Sequence, residues 1–433
     1  MDVLAICILI FSFILLIGIG TPIAWSIALS SLFSLIVNLP SISSFTTIAQ
    51  RMATGLDSFS LLAIPFFILS GQLMTHGGIA KRLVSFAKTL VVNIPGGLAL
   101  INIVSAMMMG AITGSAMASA SAMGSTLGPE MENEGYEKEF SAAVNITSAT
   151  MGLVIPPSNI LIIYSLASGG ISIAALFLAG YLPGIIIGFF LMIVAAIWAK
   201  RKGYPVLKRS NFRKIISSFI NALPSILLLF IVIGGIVLGF FTATESAAVG
   251  VILVLIFIFA RGQLTLNLLK EALWTTIKTV GSLYLIVIGA SIFNYLITVT
   301  QLPFAVVDFI NYLNLTPLGI ILVICVIYLV LGTVMDSLAM LFLTIPVFFP
   351  VIVDAGIDPV WFGIFAVIVV EFGLVSPPVG MNLFVIKGVM QNTPLQTIWF
   401  GTIPFLLTDV IRVALIIAFP AICLYLPSLM ASS

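Results

Sequence analysis

Long apolar runs constrain this chain more than any other feature of its sequence. Residues 176–199 and 216–238 are each long enough to cross a bilayer, which takes roughly 20 apolar residues in a helix. Of the 433 residues, 61% are hydrophobic and only 7% are charged, whereas soluble domains carry about a quarter charged residues. The sequence therefore predicts an all-α polytopic membrane protein in contact with membrane lipid.

The remaining composition excludes several classes of function. Residues 3–19 lack a basic leader and a small-residue cleavage site, so we expect a retained helix. Cys7, Cys325 and Cys423 lie far apart without metal-ligand spacing, and no His-Glu-x-x-His motif is present. The net charge of +2 comes from basic residues that mark membrane topology. We therefore expect neither an enzyme nor a nucleic-acid-binding protein, and no organic cofactor.

The basic residues predict the orientation. The richest basic segment, residues 200–214, lies near the midpoint of the chain and should face the cytoplasm. Counting helices outward from it places both termini in the periplasm, which predicts a multi-pass protein of a bacterial inner membrane. On this map, residues 264–280 are expected to form an interfacial amphipathic arm and residues 281–299 a separate crossing helix.

Two related sequence motifs interrupt the apolar pattern. Gly-Leu-Val-Ile-Pro-Pro-Ser-Asn occupies residues 152–159, and Gly-Leu-Val-Ser-Pro-Pro-Val-Gly occupies residues 373–380. Residues 110–129 also align with residues 331–350. Because the two halves have opposite predicted orientations, the pattern indicates an inverted repeat, an architecture of many secondary transporters.

A polar stretch precedes each double proline. Around Gly114 and again around Asp336, glycines and polar residues split an apolar run into two arms, predicted at 99–111 and 115–127 and at 317–331 and 337–350. An arm of about 13 residues spans roughly 20 Å, which is less than a hydrocarbon core. We therefore predict two re-entrant hairpins whose tips face a cavity rather than lipid.

Each double proline should break a helix. Proline removes a backbone donor and clashes with the preceding turn, so carbonyl groups upstream of the break become free. Carbonyl and hydroxyl oxygens suit a hard monovalent cation. The N-termini of the half-helices favour an anionic substrate.

Several single residues have two interpretations. Asp336 can cap a helix or ligate an ion, and a carboxylate within a membrane is usually functional. Asn159 and Asn382 can cap the resuming helices or contact substrate, while Ser119 can serve helix packing or substrate. Glu371 leaves proton involvement open. Asp409 and Arg412 have the helical spacing of a structural ion pair. The polar residues within apolar segments that need individual interpretation are therefore Asp336, Asn159, Asn382, Ser119, Glu371, Asp409 and Arg412.

These motifs carry a family resemblance. Residues 239–250 (GFFTATESAAVG), residues 57–67 (DSFSLLAIPFF), Met335-Asp336 and both Pro-Pro breaks resemble the large membrane (M) subunit of TRAP (tripartite ATP-independent periplasmic) transporters. The resemblance implies an elevator mechanism, sodium coupling, a separate small four-helix membrane subunit and a periplasmic substrate-binding protein. It implies an organic acid substrate of the C4-dicarboxylate or sialic acid type. The Pro-Pro-Ser-Asn sequence resembles the sialic acid members slightly more.

The resemblance also assigns site residues by position. One sodium site would use Gly110, Ser115, Gly152, Val154 and Pro157. The other would use Gly332, Asp336, Gly373, Val375 and Pro378. Substrate would contact Ser115, Ser119, Asn159, Ser337 and Asn382.

The predicted organisation alternates scaffold and transport parts. The predicted parts are 1–95 (scaffold and arms), 96–170 (hairpin 98–128 and broken helix 138–168), 171–316 (scaffold and arms), 317–392 (hairpin 317–351 and broken helix 358–390) and 393–433 (C-terminal scaffold helix). Two alternatives remain open: a stand-alone sodium–carboxylate permease of related fold, and an ion-translocating subunit of an energy-transducing complex.

Overall fold

Helices dominate the described part of the structure. The computed structural model describes residues 3–38, 42–90, 94–206, 212–377, 379–390 and 393–431, and these ranges contain no β-strand. The helices before the basic loop are α1 (Val3–Gly18), α2 (Ile23–Asn38), α3 (Ile42–Thr54), α4 (Ala63–His76), α5 (Ile79–Leu90), α6 (Gly97–Thr113), α7 (Ala116–Asn133), α8 (Lys138–Met151), α9 (Asn159–Ala167) and α10 (Ile173–Lys202). Those after it are α11 (Phe212–Val237), α12 (Ala243–Ala260), α13 (Leu266–Val299), α14 (Leu302–Tyr312), α15 (Pro317–Gly332), α16 (Ser337–Asp354), α17 (Pro359–Val375), α18 (Met381–Val389), α19 (Leu395–Ala418) and α20 (Ala421–Ala431). A 3₁₀ turn, Phe59–Leu62, precedes α4.

Several segments suit a bilayer. Within the described ranges, seven are long and apolar enough to cross one, judged by length and composition: Phe59–His76, Ile173–Lys202, Ile215–Val237, Ala243–Ala260, Leu266–Val299, Ser337–Asp354 and Leu395–Ala418. The predicted all-α polytopic membrane fold is confirmed.

Local side-chain chemistry sets many helix boundaries. Ser172, Thr242 and Asp358 each accept a hydrogen bond from a backbone N–H in the first turn of the helix that follows. Thr242 and Glu245 form a reciprocal capping box at the start of α12. At its other end, α10 stops at Gly203, whose φ of +69° is left-handed and suits glycine. These boundaries follow from short-range sequence signals.

Both predicted hairpins and both predicted breaks are present as elements. Residues 114–115 join α6 to α7, and residues 333–336 join α15 to α16. A break over residues 152–158 separates α8 from α9, and a second, beginning at residue 376, separates α17 from α18.

The hairpin arms are longer than predicted. Arms α6 and α7 have 17 and 18 residues, and α15 and α16 have 16 and 18. The prediction of about 13 residues was wrong for the first hairpin because α7 continues through the polar residues Glu130 and Glu132 to Asn133. Since α16 meets the length and composition of a membrane span, re-entry of the hairpins stays a prediction.

The predicted division of residues 264–299 into an arm and a crossing helix was also wrong. Helix α13 runs without interruption over 34 residues, Leu266–Val299, which is about 51 Å. Gly281 lies inside it, and a single glycine does not break a helix whose other positions favour it. One continuous helix therefore joins the polar segment to the apolar span.

Helix packing brings the hairpins and breaks together. Helix α6 packs against α8, and α15 packs against α17 in the same way. Helix α19 contacts both α8 and α17, while α13 packs against α2 and α4 and also touches α16. Nearly every residue of α17 is buried, so the second broken helix lies at the centre of the molecule.

Candidate functional site

In each half of the chain, one pair of glycines brings a hairpin into close contact with a broken helix. A methyl group placed on Gly152 would lie 2.6 Å from the Cα of Gly110, and one on Gly373 would lie 2.7 Å from the Cα of Gly332. Such distances leave no room for any side chain. The two hairpin–break units, α6–α9 and α15–α18, therefore share the same close backbone contact in corresponding positions.

In the first unit, the predicted sodium ligands differ in their hydrogen bonding. Within the described residues, no donor hydrogen-bonds to the carbonyl oxygens of Gly152 and Val154, which lie in the break. The carbonyl of Gly110 accepts the N–H of Gly114 at 2.8 Å, although a carbonyl keeps a second lone pair. The Val154 carbonyl points toward Gly180 of α10, where a methyl group would lie 2.3 Å from it. The predicted freeing of carbonyls is thus observed at two of these positions.

The second unit also has a free carbonyl at its break, but the roles of its two glycines are exchanged relative to the first unit. Among the described donors, none reaches the carbonyls of Gly332 and Val375, whereas Gly373 accepts the N–H of Ser376 at 3.1 Å. Pro157 of the first unit lies at the break. Its counterpart Pro378 lies outside the described residues.

The hairpin tips meet at a cavity of about 490 Å³. The first tip contributes residues 113–117, and the second contributes residues 336–338. Asn159, from the start of α9, completes the wall beside the first tip. Of the residues predicted for ions or substrate, the cavity is lined by Ser115, Asn159, Asp336 and Ser337.

Each tip carries the N-cap of a hairpin arm. The Ser115 hydroxyl accepts the N–H of Ala118 at 3.2 Å, and the Asp336 carboxylate accepts the N–H of Leu338 at 3.1 Å. Two helix N-termini therefore face one cavity, which favours anionic groups. The predicted capping by Asp336 is confirmed.

Asn159 contacts the first tip rather than capping a helix. It is the first residue of α9, one position after the N-cap residue Ser158. A methyl group on Gly114, whose φ is +63°, would lie 2.2 Å from Asn159 Nδ2. The prediction that Asn159 caps the resuming helix is wrong because the preceding residue, Ser158, occupies the cap position.

Two predicted substrate residues lie away from the cavity. The Ser119 hydroxyl donates to the Ala106 carbonyl at 2.8 Å, which joins the two arms of the first hairpin. Asn382 is fully buried, and neither amide atom has a partner in the described part of the chain. Gly380 occupies the cap position of α18, so Asn382 is not a cap. The structure therefore favours packing for Ser119 and leaves Asn382 without an assigned contact.

Glu371 is buried one turn before the second break. Its exposed fraction is 0%, and neither oxygen receives a hydrogen bond of ordinary geometry from the described residues. Asp336, Arg412 and Ser337 are close enough to interact with it electrostatically. This carboxylate borders the second candidate ion site without lining the cavity.

The predicted Asp409–Arg412 pair is confirmed. Arg412 Nε lies 3.3 Å from Asp409 Oδ1, and both side chains are buried. Arg412 also contacts Met151 Sδ at 2.8 Å and donates to the Ile368 carbonyl at 3.3 Å. Because Met151 ends α8 and Ile368 lies in α17, the ion pair joins the two broken helices through α19.

Sequence reasoning missed the third wall of the cavity. Helix α13 supplies Lys278, Thr279 and Ser282, with two apolar residues, Leu283 and Ile286. Their spacing of three to four residues places them along one side of a helix. That spacing was visible in the sequence, but it matched an interfacial arm equally well.

Comparisons with known proteins identify a family. A family model described as "Tripartite ATP-independent periplasmic transporter, DctM component" matches residues 10–422. The chain is 44% identical over 429 residues to the YgiK protein of Salmonella typhimurium, which covers 99% of this chain and 98% of that protein. It is 36% identical over 421 residues to the sialic acid TRAP transporter large permease protein SiaM of Vibrio cholerae, covering 97% and 98%. It is 35% identical over 409 residues to the C4-dicarboxylate TRAP transporter large permease protein DctM of Pseudomonas aeruginosa, covering 94% and 95%.

Solved structures show the same fold at low identity. The Alcanivorax borkumensis YdaH transporter aligns with a TM-score of 0.65 at 12% identity, over 88% of this chain and 90% of that one. The Neisseria gonorrhoeae protein MtrF aligns with a TM-score of 0.57 at 13% identity, over 90% and 85%. With the family match over almost the whole sequence, the chain is a multi-pass membrane transport protein and not an enzyme, and it belongs to the DctM family of TRAP transporter large permeases.

Proposed function

We propose that this chain takes up an organic acid across a bacterial inner membrane, driven by a sodium gradient. The observation that carries the proposal is the cavity between two hairpin tips, each backed by a helix break with unpaired carbonyl oxygens. Hard oxygen ligands suit Na⁺, and paired helix N-termini suit a carboxylate. The proposed sodium sites therefore lie beside the proposed substrate site.

The sodium ions would bind between the tips and the breaks. In the first unit we propose the carbonyl of Gly152 as the principal ligand, with Gly110, Ser115 and Pro157 completing the shell; the Val154 carbonyl faces Gly180 of α10 and is left out of this site. In the second unit we propose Gly332 and Val375 with the Asp336 carboxylate, and with Gly373 and Pro378. The first site has no acidic residue, so the two sites should differ in affinity.

The substrate would lie in the cavity between the two tips. Ser115, Asn159 and Ser337 line it and can hydrogen-bond a carboxylate or a hydroxyl group. Relatives named for C4-dicarboxylate, sialic acid and 2,3-diketo-L-gulonate transport define the class of acid. Among these we favour sialic acid, on the Pro-Pro-Ser-Asn sequence at residues 156–159.

Transport would follow an elevator motion with two partners. We propose that the two hairpin–break units move together, since Arg412 ties α8 to α17. A small membrane subunit and a periplasmic binding protein would complete the transporter, as expected for the family. With both termini in the periplasm, cysteines placed at Arg201 and Asp308 should react with an impermeant reagent from opposite sides; labelling of both from one side would refute this orientation.

Uptake in proteoliposomes tests the proposal. The vesicles would contain both membrane subunits, with the binding protein and radiolabelled N-acetylneuraminate or succinate outside. An inward sodium gradient should drive accumulation of one of these acids, and dissipating the gradient with a sodium ionophore should abolish it. Accumulation that is equal with potassium replacing sodium on both sides would refute sodium coupling.

A further inference from the structure

The third wall of the cavity belongs to a different part of the molecule from the other two. The tips come from the hairpins, whereas Lys278, Thr279 and Ser282 come from α13, which packs along α2 and α4. A ligand between the tips therefore faces α13. Any charged group on that wall acts on the ligand without belonging to either ion site.

Charge is distributed unequally around the cavity. Among the described lining residues, Asp336 and Lys278 are the ionisable ones, and Lys278 alone is cationic. Asp336 is already held by the backbone N–H of Leu338 and repels a substrate carboxylate at short range. The α13 wall therefore contributes the positive charge among the described lining residues.

Lys278 has no carboxylate partner in the described structure. The ion pairs of the described residues do not include it. Its Nζ lies 5.0 Å from the centroid of the Trp274 ring, in a cation–π contact. Such a contact at an exposed site is weak, and it leaves the three ammonium donors available to a ligand. The side chain is therefore positioned by Trp274 without being neutralised.

We propose that Lys278 binds a carboxylate of the transported acid at the mouth of the cavity. The assignment rests on the proposed function and adds a residue that belongs to the α13 wall. Because Lys278 lies on the cytoplasmic arm of α13 in the proposed orientation, it acts on the anion where the anion leaves toward the cytoplasm. The neighbouring hydroxyl groups of Thr279 and Ser282 already donate to the carbonyls of Thr275 and Lys278, so Lys278 is the donor that this wall has free for an anion.

A lysine on this arm has a second explanation, which the same helix can test. Basic residues collect on cytoplasmic segments for topological reasons alone. Lys270, eight residues earlier on α13, is exposed and does not line the cavity. Lys270→Gln therefore removes the same charge from the same arm and serves as the matched control.

Direct binding measurements separate the two explanations. Isothermal titration calorimetry on the complex of both membrane subunits in lipid nanodiscs, in sodium buffer, would use succinate and N-acetylneuraminate as probes. Loss of a charge-assisted hydrogen bond predicts about tenfold or weaker binding in Lys278→Gln. Lys278→Arg should bind within about threefold of wild type, and Lys270→Gln should match wild type.

The outcomes distinguish this assignment from the proposed function. If the wild-type complex binds an acid and Lys278→Gln binds it equally tightly, the Lys278 assignment is overturned while the proposed function stands. Equal losses in Lys278→Gln and Lys270→Gln would also overturn it, because they indicate general surface charge. If the wild-type complex binds neither acid, the proposed function fails for these substrates and the assignment fails with it.

Discussion

Close backbone approach at Gly110–Gly152 and at Gly332–Gly373 is the residue-level feature on which both candidate ion sites depend. In each pair, the two backbones are so close that a Cβ atom on either glycine would clash with the Cα atom of the other. The free carbonyls lie in or beside the same segments. A side chain at these glycines would therefore disturb both the stability and the proposed sodium sites.

The glycine pairs give a first prediction. Gly152→Ala and Gly373→Ala should each lower the free energy of unfolding by about 1–3 kcal/mol, because the added methyl group meets backbone atoms that cannot easily yield. Thermal unfolding of the purified protein would measure the change. Gly234→Ala is the control, since nothing lies within 4 Å of its added methyl group. Equal stability of all three variants would contradict the close packing.

The buried Asp409–Arg412 ion pair gives a second prediction. Arg412→Met should lower the free energy of unfolding by about 3–5 kcal/mol, because it leaves Asp409 charged and buried without a partner. The double variant Asp409→Leu with Arg412→Met should recover much of that loss. Both are measured by the same thermal unfolding. A double variant as unstable as the sum of the single variants would show that the pair does not act as a unit.

For single residues, the sequence predicts local roles such as helix capping better than it predicts contacts between helices. Asp336 could be predicted as a cap because the signal lies within three residues. The placement of Asn382 in the core and the hydrogen bond from Ser119 to Ala106 could not be predicted, because they depend on how separate helices rotate against each other. Long-range packing decides which polar side chains face a cavity.

Among the elements, α13 is the one that departs most from expectation. Its polar N-terminal half and its apolar C-terminal half form one helix of 34 residues. The breaks in α8 and α17 were predictable because proline has a strong local effect. No such residue lies between the two halves of α13, so the predicted joint at Gly281 had no physical cause.

Continuity at Gly281 gives a third prediction. If the residue is helical, Gly281→Ala should raise the free energy of unfolding by about 0.5–1 kcal/mol, since alanine is the better helix former and nothing lies within 4 Å of the new methyl group. Gly203→Ala is the contrast, because the φ of +69° there disfavours any side chain and should lower stability. Chemical denaturation curves of both variants provide the comparison. Destabilisation by Gly281→Ala would indicate a joint in α13.

Across the whole molecule, two similar units meet at one cavity, and a separate helix closes it. The similarity of the units was visible in the two Gly-Leu-Val-x-Pro-Pro phrases. The closing helix was not, because the polar side of α13 matches an interfacial arm equally well. The fold and the glycine contacts between hairpins and breaks could thus be predicted in outline from local signals, while the cavity could not.

Sodium dependence of uptake tests the central claim most directly. In proteoliposomes with both membrane subunits and the binding protein, initial uptake of the transported acid would be measured against external sodium for wild type and Asp336→Asn. With two sodium sites of which one uses Asp336, wild type should respond sigmoidally. Asp336→Asn should need at least about tenfold more sodium for half-maximal uptake, because a charged ligand is lost. Identical sodium curves for both proteins, or uptake without sodium, would contradict the account.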